Sequence, residues 1–394
     1  MTWPRKFLLG VNYWPRAKAM RWWREYDPRE VRDELEEVRA LGLQVVRFFL
    51  LWEDFQPLPD RVSPTALRCL ADVMDALEER ALKGIPTLFT GHMSGVNWLP
   101  EWILAPGRRE DVPFRTVCAG QVEDAHCADI YEDEKLLGAQ AELAASVREA
   151  IGLHPALFGW DLFNEHSNVR PPVTARAIHT WLDRIVRALQ DGPRVPITCG
   201  IHQRDLETTD GFRVDAVAPF CDYLSVHAYP FYASWARSDL DPEMAPFCVR
   251  LTSSLGRRPA MVTEFGACTR REDVARAGSE TVHLFTEAEA ADYFSHVLPA
   301  IYDAGSLGAL AWCFSDYDLS LAASPPFDNA PFELAFGIVR HDGQPKPSAR
   351  AIERFAARVG SKAPRLPQYL SVSAPAYYQS PANHIRNLYG GQEN

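Results

Sequence analysis

Apolar runs of strand length alternate with amphipathic helical stretches along most of the chain. The runs are almost continuously apolar, as is typical of parallel strands that are covered on both faces. Eight such runs, each followed by a helical stretch, predict a (β/α)8 barrel. The predicted strands are 7–11, 45–51, 85–90, 157–163, 195–199, 223–226, 260–263 and 307–312.

Helix boundary signals support this division. Asp27-Pro28 begins one helix, Ser63-Pro64 begins another, and further helices are expected from Thr286 to Ala304 and from Ser348 to Val359. A doubly wound open sheet is the competing architecture. It requires a glycine-rich turn after the first strand, where this chain instead has Asn12-Tyr13-Trp14-Pro15.

No linker interrupts the chain before Val359, so residues 1–359 are predicted to form one barrel domain. Residues 360–394 form a C-terminal extension that is rich in Pro, Ser, Tyr and Asn and lacks a helical period. We expect an irregular tail that lies on the surface or is partly disordered. Its tyrosines are compatible with packing or with a contact in a homo-oligomer.

Composition excludes several classes of partner. The 394 residues carry a net charge of −11 without a Lys/Arg cluster, which argues against nucleic acid binding. No uncharged apolar run reaches the roughly 18 residues that a membrane span needs. The first strand follows the N-terminus without an apolar leader, and eight scattered cysteines are typical of reduced thiols, so we expect a cytoplasmic protein. A signal peptide that was already removed remains an alternative.

Candidate chemistry lies at the strand ends, because reactive groups of parallel barrels gather at the carboxyl ends of the strands. Glu165 ends the fourth predicted strand and Glu264 ends the seventh. Two carboxyl groups that face each other suit glycoside hydrolysis, in which one protonates the leaving oxygen and the other attacks the anomeric carbon. A single glutamate at a strand end is more often a surface charge, but two at these positions favour a function.

These residues lie in motifs that resemble a known family. Trp160-Asp161-Leu162-Phe163-Asn164-Glu165 is similar to the Asn-Glu motif of clan A glycoside hydrolases, and Val262-Thr263-Glu264-Phe265-Gly266 is similar to their nucleophile motif. The segment 10–16, Gly-Val-Asn-Tyr-Trp-Pro-Arg, resembles the first strand of family-five mannosidases and mannanases. The resemblance extends to about Val359. It implies that Glu165 is the acid/base, that Glu264 is the nucleophile, and that Asn164 binds the sugar 2-hydroxyl.

Other strand ends fit the same resemblance. Arg47 interrupts an apolar strand, and a buried guanidinium needs an anionic partner; the family uses this arginine to orient the nucleophile, whereas a rim ion pair is the alternative. His92 and His227 resemble residues that contact sugar or nucleophile, although a lone histidine is more often only a satisfied polar group. The resemblance implies that Tyr229 donates to the nucleophile.

Trp312 ends the eighth strand, where the family places a tryptophan beneath the reactive sugar. The alternative is a core tryptophan. The family commonly has a cis peptide after this residue, so the Trp312–Cys313 bond is expected to be cis.

No metal or cofactor is expected. Cys118 and Cys127 share a loop without further ligands, and no glycine-rich phosphate cradle is present. Hydrolysis through a glycosyl-enzyme needs neither.

The sequence therefore predicts a retaining β-glycoside hydrolase, specifically an exo-acting β-mannosidase whose substrate is a small oligosaccharide or β-glycoside. Two long loops, 91–134 and 315–346, are expected to wall its cleft into a pocket. An endo-β-mannanase or endo-β-glucanase is the alternative within this class. A non-catalytic carbohydrate-binding barrel is less consistent with the sequence, because Glu165, Glu264, Asn164 and Arg47 are all intact. A barrel isomerase or aldolase would need a Schiff-base lysine or a set of metal ligands at the strand ends, and we find neither.

Overall fold

Eight parallel strands form one sheet that closes into a barrel in the computed structural model, which describes residues 4–271 and 283–391. The order around the barrel is β5-β4-β3-β2-β1-β8-β7-β6. Between β5 and β6, the His227 amide donates to Ile201 O at 3.1 Å and completes the ring. The predicted barrel is confirmed. The strands are β1 Leu8–Tyr13, β2 Val45–Leu51, β3 Lys83–Thr90, β4 Trp160–Asn164, β5 Ile197–Gly200, β6 Leu224–His227, β7 Ala260–Phe265 and β8 Gly308–Ala311.

Within residues 4–271 and 283–391, seven long helices surround the sheet. The predicted caps are present, since the Asp27 side chain accepts from Arg29 N and the Ser63 side chain accepts from Ala66 N. The long helices are α1 Pro28–Ala40, α2 Pro64–Glu79, α3 Glu134–Ile151, α4 Ala175–Gln190, α5 Met244–Gly256, α6 Glu287–Asp303 and α7 Pro347–Val359. Shorter helical segments are Ala19–Arg21, Trp52–Phe55, Glu101–Ile103, His166–Val169, Gln203–Glu207, Val214–Val217, Pro230–Tyr232, Leu319–Leu321, Pro331–Ala335, Ala374–Tyr377 and Pro381–Gly390. No helix in the described ranges is long and apolar enough to cross a membrane.

Two apolar clusters make up most of the core. A small apolar cluster fills the inside of the barrel and a large one lies between the strands and the helices. Strands that are buried on both faces explain why the strand segments are continuously apolar. The inner cluster consists of Leu8, Val45, Ile85, Tyr223, Met261, Leu307 and Leu310.

The two long loops follow β3 and β8, so both lie at the carboxyl end of the barrel, as predicted. The first is more ordered than an unstructured loop. It contains a four-stranded sheet of short strands and a separate two-stranded pair. These strands are His92–Met93, Val96–Trp98, Arg115–Cys118 and Gln121–Glu123, with Leu104–Pro106 paired to Ala125–Cys127.

The C-terminal extension differs from the prediction. An irregular tail is wrong for residues 374–390, which form two helices. Tyr377 and Tyr389 are buried: the Tyr377 hydroxyl donates to Leu206 O at 2.7 Å, and the Tyr389 hydroxyl donates to Asp241 Oδ2 at 2.6 Å. Both helices have a proline in the first turn, a position that favours the start of a helix. The tyrosines supply the apolar face of these helices. The division of the chain at 359 stays a prediction.

Candidate active site

Two glutamates face each other at the mouth of the barrel. Glu165 directly follows β4, and Glu264 is the penultimate residue of β7. His227 lies between them, with its Nδ1 atom 2.6 Å from Glu165 Oε1 and 3.5 Å from Glu264 Oε2. An oxygen of one carboxyl group lies within 4.8 Å of an oxygen of the other. The structure thus brings together the pair that the sequence predicted.

Glu264 is held through both of its oxygens. Arg47 Nη1 donates to Oε1 at 2.6 Å, and the Tyr229 hydroxyl donates to Oε2 at 2.9 Å. Burial raises the pKa of Glu264, while His227, Arg47 and the Tyr229 hydroxyl act against that rise. These donors fix the orientation of the carboxylate and favour its charged form.

Arg47 is fully buried and binds four side chains. In addition to Glu264, it donates to Asp161 Oδ2 at 2.7 Å, to Asn164 Oδ1 at 2.8 Å and to Asn12 Oδ1 at 3.0 Å. Burial alone would lower the pKa of Arg47, but the Asp161 and Glu264 carboxylates outweigh burial and raise it. The predicted anionic partner is present twice, and a rim ion pair is excluded because the side chain is 0% exposed.

Glu165 has a left-handed backbone, with φ at +48°, at the turn from β4 into the helix His166–Val169. Asn168 Nδ2 donates to its Oε2 atom at 2.9 Å. His202 Nδ1 and His92 Nε2 lie 3.8 and 3.9 Å from the same oxygen. Burial acts to raise the pKa of Glu165, but positive charge on His202 and the hydrogen bond with His227 outweigh burial and lower it.

His92 has a defined tautomer. Asn97 Nδ2 donates to Asn168 O at 2.9 Å, which leaves Asn97 Oδ1 to accept from His92 Nδ1 at 2.7 Å. Burial lowers the pKa of His92, so the imidazole is neutral near neutral pH. Its Nε2 atom therefore carries a lone pair directed at the region of Glu165.

Trp312 lines the same pocket as both glutamates. A Cβ atom at Gly266 would lie 2.2 Å from Trp312 O, so only glycine permits the chain to pass here. The Trp312–Cys313 bond is cis, which confirms that expectation. The pocket has a volume of about 510 Å³, within the usual range of small-molecule sites.

Loops form the walls of this pocket. The loop after β3 contributes Phe114, the loop after β8 contributes Phe332 and Glu333, and the segment after β5 contributes Gln203 and Arg204. The predicted walls from 91–134 and 315–346 are present.

No protein-family model matches the chain, and no curated protein matches its sequence. Solved structures do match. Op5Man5, an exo-β-1,4-mannosidase from Opitutaceae bacterium strain TAV5, is 26% identical with a TM-score of 0.73 over 89% of this chain. The chain spans only 59% of the length of Op5Man5. GH5_18 from Streptomyces cattleya, in complex with GlcNAc, is 25% identical with a TM-score of 0.75 over 92% of this chain and 82% of its own. An alanine variant of GH5_18 from the same species, in complex with Manβ1-4GlcNAc, is 26% identical with a TM-score of 0.74 over 91% and 83%.

In fold and sequence, the chain is similar to family-five enzymes of clan A of the glycoside hydrolases. The site also contains residues that the sequence analysis did not predict. Asp161 could have been predicted as a partner of Arg47, because a buried arginine requires an acid and Asp161 is the charged residue inside β4. His202 follows β5 and could have been found by inspecting every strand end. Glu333 lies in a loop whose position depends on tertiary contacts, and no local pattern marks it.

Two clusters in the part of the chain that the structure describes have the spacing of metal ligands. One consists of Glu165, His227 and Glu264. Its two carboxylates already accept hydrogen bonds from Arg47, Tyr229 and Asn168. The other is the largely exposed group of Asp75, Glu78 and His154. Neither cluster has a further feature that favours a metal, and the expectation of no metal and no cofactor stays a prediction.

Proposed function

We propose that this protein is a retaining exo-β-mannosidase that acts on small oligosaccharides through a covalent glycosyl-enzyme. The observation that carries the proposal is the spacing of Glu165 and Glu264, whose facing oxygens lie within 4.8 Å. Retaining enzymes have carboxyl groups about 5–5.5 Å apart, whereas inverting enzymes need about 6.5–9.5 Å to admit a water molecule.

In the first step, Glu264 attacks the anomeric carbon and Glu165 gives its proton to the departing oxygen. The contacts of Glu264 support the nucleophile role, because Arg47 and Tyr229 orient it without blocking its approach to the pocket. In the second step, the Glu165 carboxylate takes a proton from water. That water attacks the anomeric carbon and releases Glu264.

The surroundings of Glu165 support its role as the base of the second step, because, against the effect of burial, His202 and His227 lower its pKa and favour the carboxylate. For the first step, Glu165 has to take up a proton before the leaving group departs. Neutral His92 has its Nε2 atom 3.9 Å from Glu165 Oε2 and presents a lone pair towards the carboxyl group in its protonated form. His227 contacts both carboxyl groups, so it can form a hydrogen bond with either of them in each step.

Asn164 is proposed to bind the 2-hydroxyl of the reactive sugar. Its Oδ1 atom accepts from Arg47, and its Nδ2 atom donates to His92 O at 3.0 Å. These contacts fix the amide orientation and leave one N–H for the substrate. His92, His227 and Tyr229 line the same pocket as further contacts, with Trp312 as the apolar floor.

Mannose at the reactive subsite is supported by Op5Man5 and by the GH5_18 complex with Manβ1-4GlcNAc. Exo action is supported by the loop walls around the pocket.

A reducing compartment such as the cytoplasm is supported by the eight cysteines, all of which are free. The acidic net charge supports a carbohydrate rather than a nucleic acid as partner.

A mechanism-based label tests this proposal. A 2-deoxy-2-fluoro-β-mannosyl fluoride should form a stable glycosyl-enzyme, and peptide mass spectrometry should place the adduct on Glu264. Among aryl β-glycosides, the mannoside should have the highest kcat/KM. An adduct on another residue would refute the role of Glu264, and a preference for the glucoside or galactoside would refute mannose.

A further inference from the structure

We propose that Glu333 binds a hydroxyl group of the terminal sugar and so determines which non-reducing end the pocket accepts. This inference rests on the proposed function and adds a specificity-determining residue to it. Glu333 is 8% exposed and lines the pocket together with Glu165 and Glu264.

One oxygen of Glu333 lacks a protein partner. Within residues 4–271 and 283–391, its buried Oε2 atom accepts no hydrogen bond. A buried polar atom without a partner is costly, which favours a ligand that supplies one. Because the side chain lines the cavity, a substrate hydroxyl can fill this role.

Its position points to the donor side of the scissile bond. Trp312, the proposed floor of the reactive subsite, and the proposed nucleophile Glu264 line the same pocket as Glu333. Phe332 lines the pocket beside it. A polar group beside apolar rings is the usual construction of a specific sugar contact.

The backbone that carries Glu333 is fixed directly after this residue. Its helical turn, Pro331–Ala335, is tied by Tyr317 N to Leu334 O at 3.0 Å and by Thr269 N to Ala335 O at 2.9 Å. Buried Lys346 donates to Thr269 Oγ1 at 2.8 Å and to Asp316 Oδ1 at 2.7 Å beneath this turn. The carboxyl group is therefore preorganised rather than recruited by binding.

The carboxyl group is also protonated at neutral pH. Burial, together with the charges of Glu264 and Glu165, raises the pKa of Glu333 to about 8, although the Ser94 hydroxyl and the Trp312 indole act against the rise. In addition to burial, the charge of Glu333 raises the pKa of five neighbouring groups, which are Tyr229, Tyr232, Cys268, Cys313 and Tyr317. A neutral acid can donate to one sugar oxygen and accept from another.

The test pairs substrate and residue changes. The substrates are the best aryl β-glycoside of the panel and its 3-, 4- and 6-deoxy analogues. The wild type should lose at least roughly tenfold in kcat/KM on one analogue, because removal of that hydroxyl leaves Glu333 unpaired. Glu333→Ala should lose a similar factor on the parent substrate and no longer distinguish that analogue from it.

Glu333→Gln supplies a readout that a structural role would not change. The KM of the wild type should rise as the pH passes about 8, the pKa of Glu333. Glu333→Gln should have nearly the wild-type KM at neutral pH. Its KM should not rise at alkaline pH. Glu34→Gln is the matched control, since Glu34 is a buried glutamate with a raised pKa that lies outside the pocket. It should keep the wild-type pH profile.

The proposal is overturned if Glu333→Ala discriminates among the deoxy analogues as the wild type does, or if Glu333→Gln keeps the alkaline rise in KM. Failure of the proposed function would look different. Hydrolysis with inversion, or an adduct away from Glu264, would refute the mechanism while the deoxy series still reports on Glu333.

Discussion

Glu165 supplies the proton that a poor leaving group needs, so its loss should affect substrates unequally. Glu165→Ala should lower kcat/KM by roughly 10²- to 10⁴-fold on oligosaccharides and on aryl glycosides with weakly acidic phenols. Glycosides of strongly acidic phenols should lose much less in the glycosylation step. The measurement is a leaving-group series for wild type and variant, and equal losses across it would assign Glu165 another role.

Arg47 compensates two buried carboxylates, Asp161 and Glu264. Arg47→Met should leave both without their cation and lower the free energy of unfolding by about 3–5 kcal/mol. Urea denaturation measures this loss. Arg39→Met is the matched control, because the Arg39–Glu36 pair is exposed and its removal should leave the unfolding midpoint nearly unchanged. Equal effects of the two substitutions would contradict this account of the network.

At the scale of elements, the C-terminal helices depend on tyrosine hydrogen bonds to the barrel. Tyr389→Phe removes the donor to Asp241 and should cost about 1.5–3 kcal/mol, as expected for a bond to a charged group. Tyr369→Phe is the control, since Tyr369 is 48% exposed, and it should change stability by less than about 0.5 kcal/mol. Thermal denaturation of both variants distinguishes a docked extension from a loose one.

The elements also show what the sequence could predict. All eight strands were predicted because burial on both faces makes each one apolar throughout; only their limits moved, as when β4 begins at Trp160 rather than 157. The helices after Ser373 were missed because proline and tyrosine obscure a helical period. Strand ends located Glu165 and Glu264, and the interruption of an apolar strand located Arg47. Glu333 depends on how the loop after β8 packs, which no local pattern encodes.

At the scale of the whole molecule, buried carboxyl groups make stability depend on pH. Burial raises the pKa of Glu34 to about 7, against the effect of Arg16. Between about pH 4.5 and 7 the folded protein keeps a proton that the unfolded chain releases, so rising pH favours unfolding. Glu34→Gln cannot ionise, so its Tm relative to the wild type should increase across this window and then level off. A constant difference in Tm from pH 4.5 to 8 would contradict the raised pKa.

The central claim is that Glu165 and Glu264 act together with retention of configuration. Proton NMR during the first minutes of aryl β-mannoside hydrolysis tests it most directly, because the anomer that forms first appears before mutarotation mixes the products. The spacing of the two carboxyl groups predicts that β-mannose forms first. Initial release of α-mannose would mean that water attacks directly, and it would contradict the covalent mechanism.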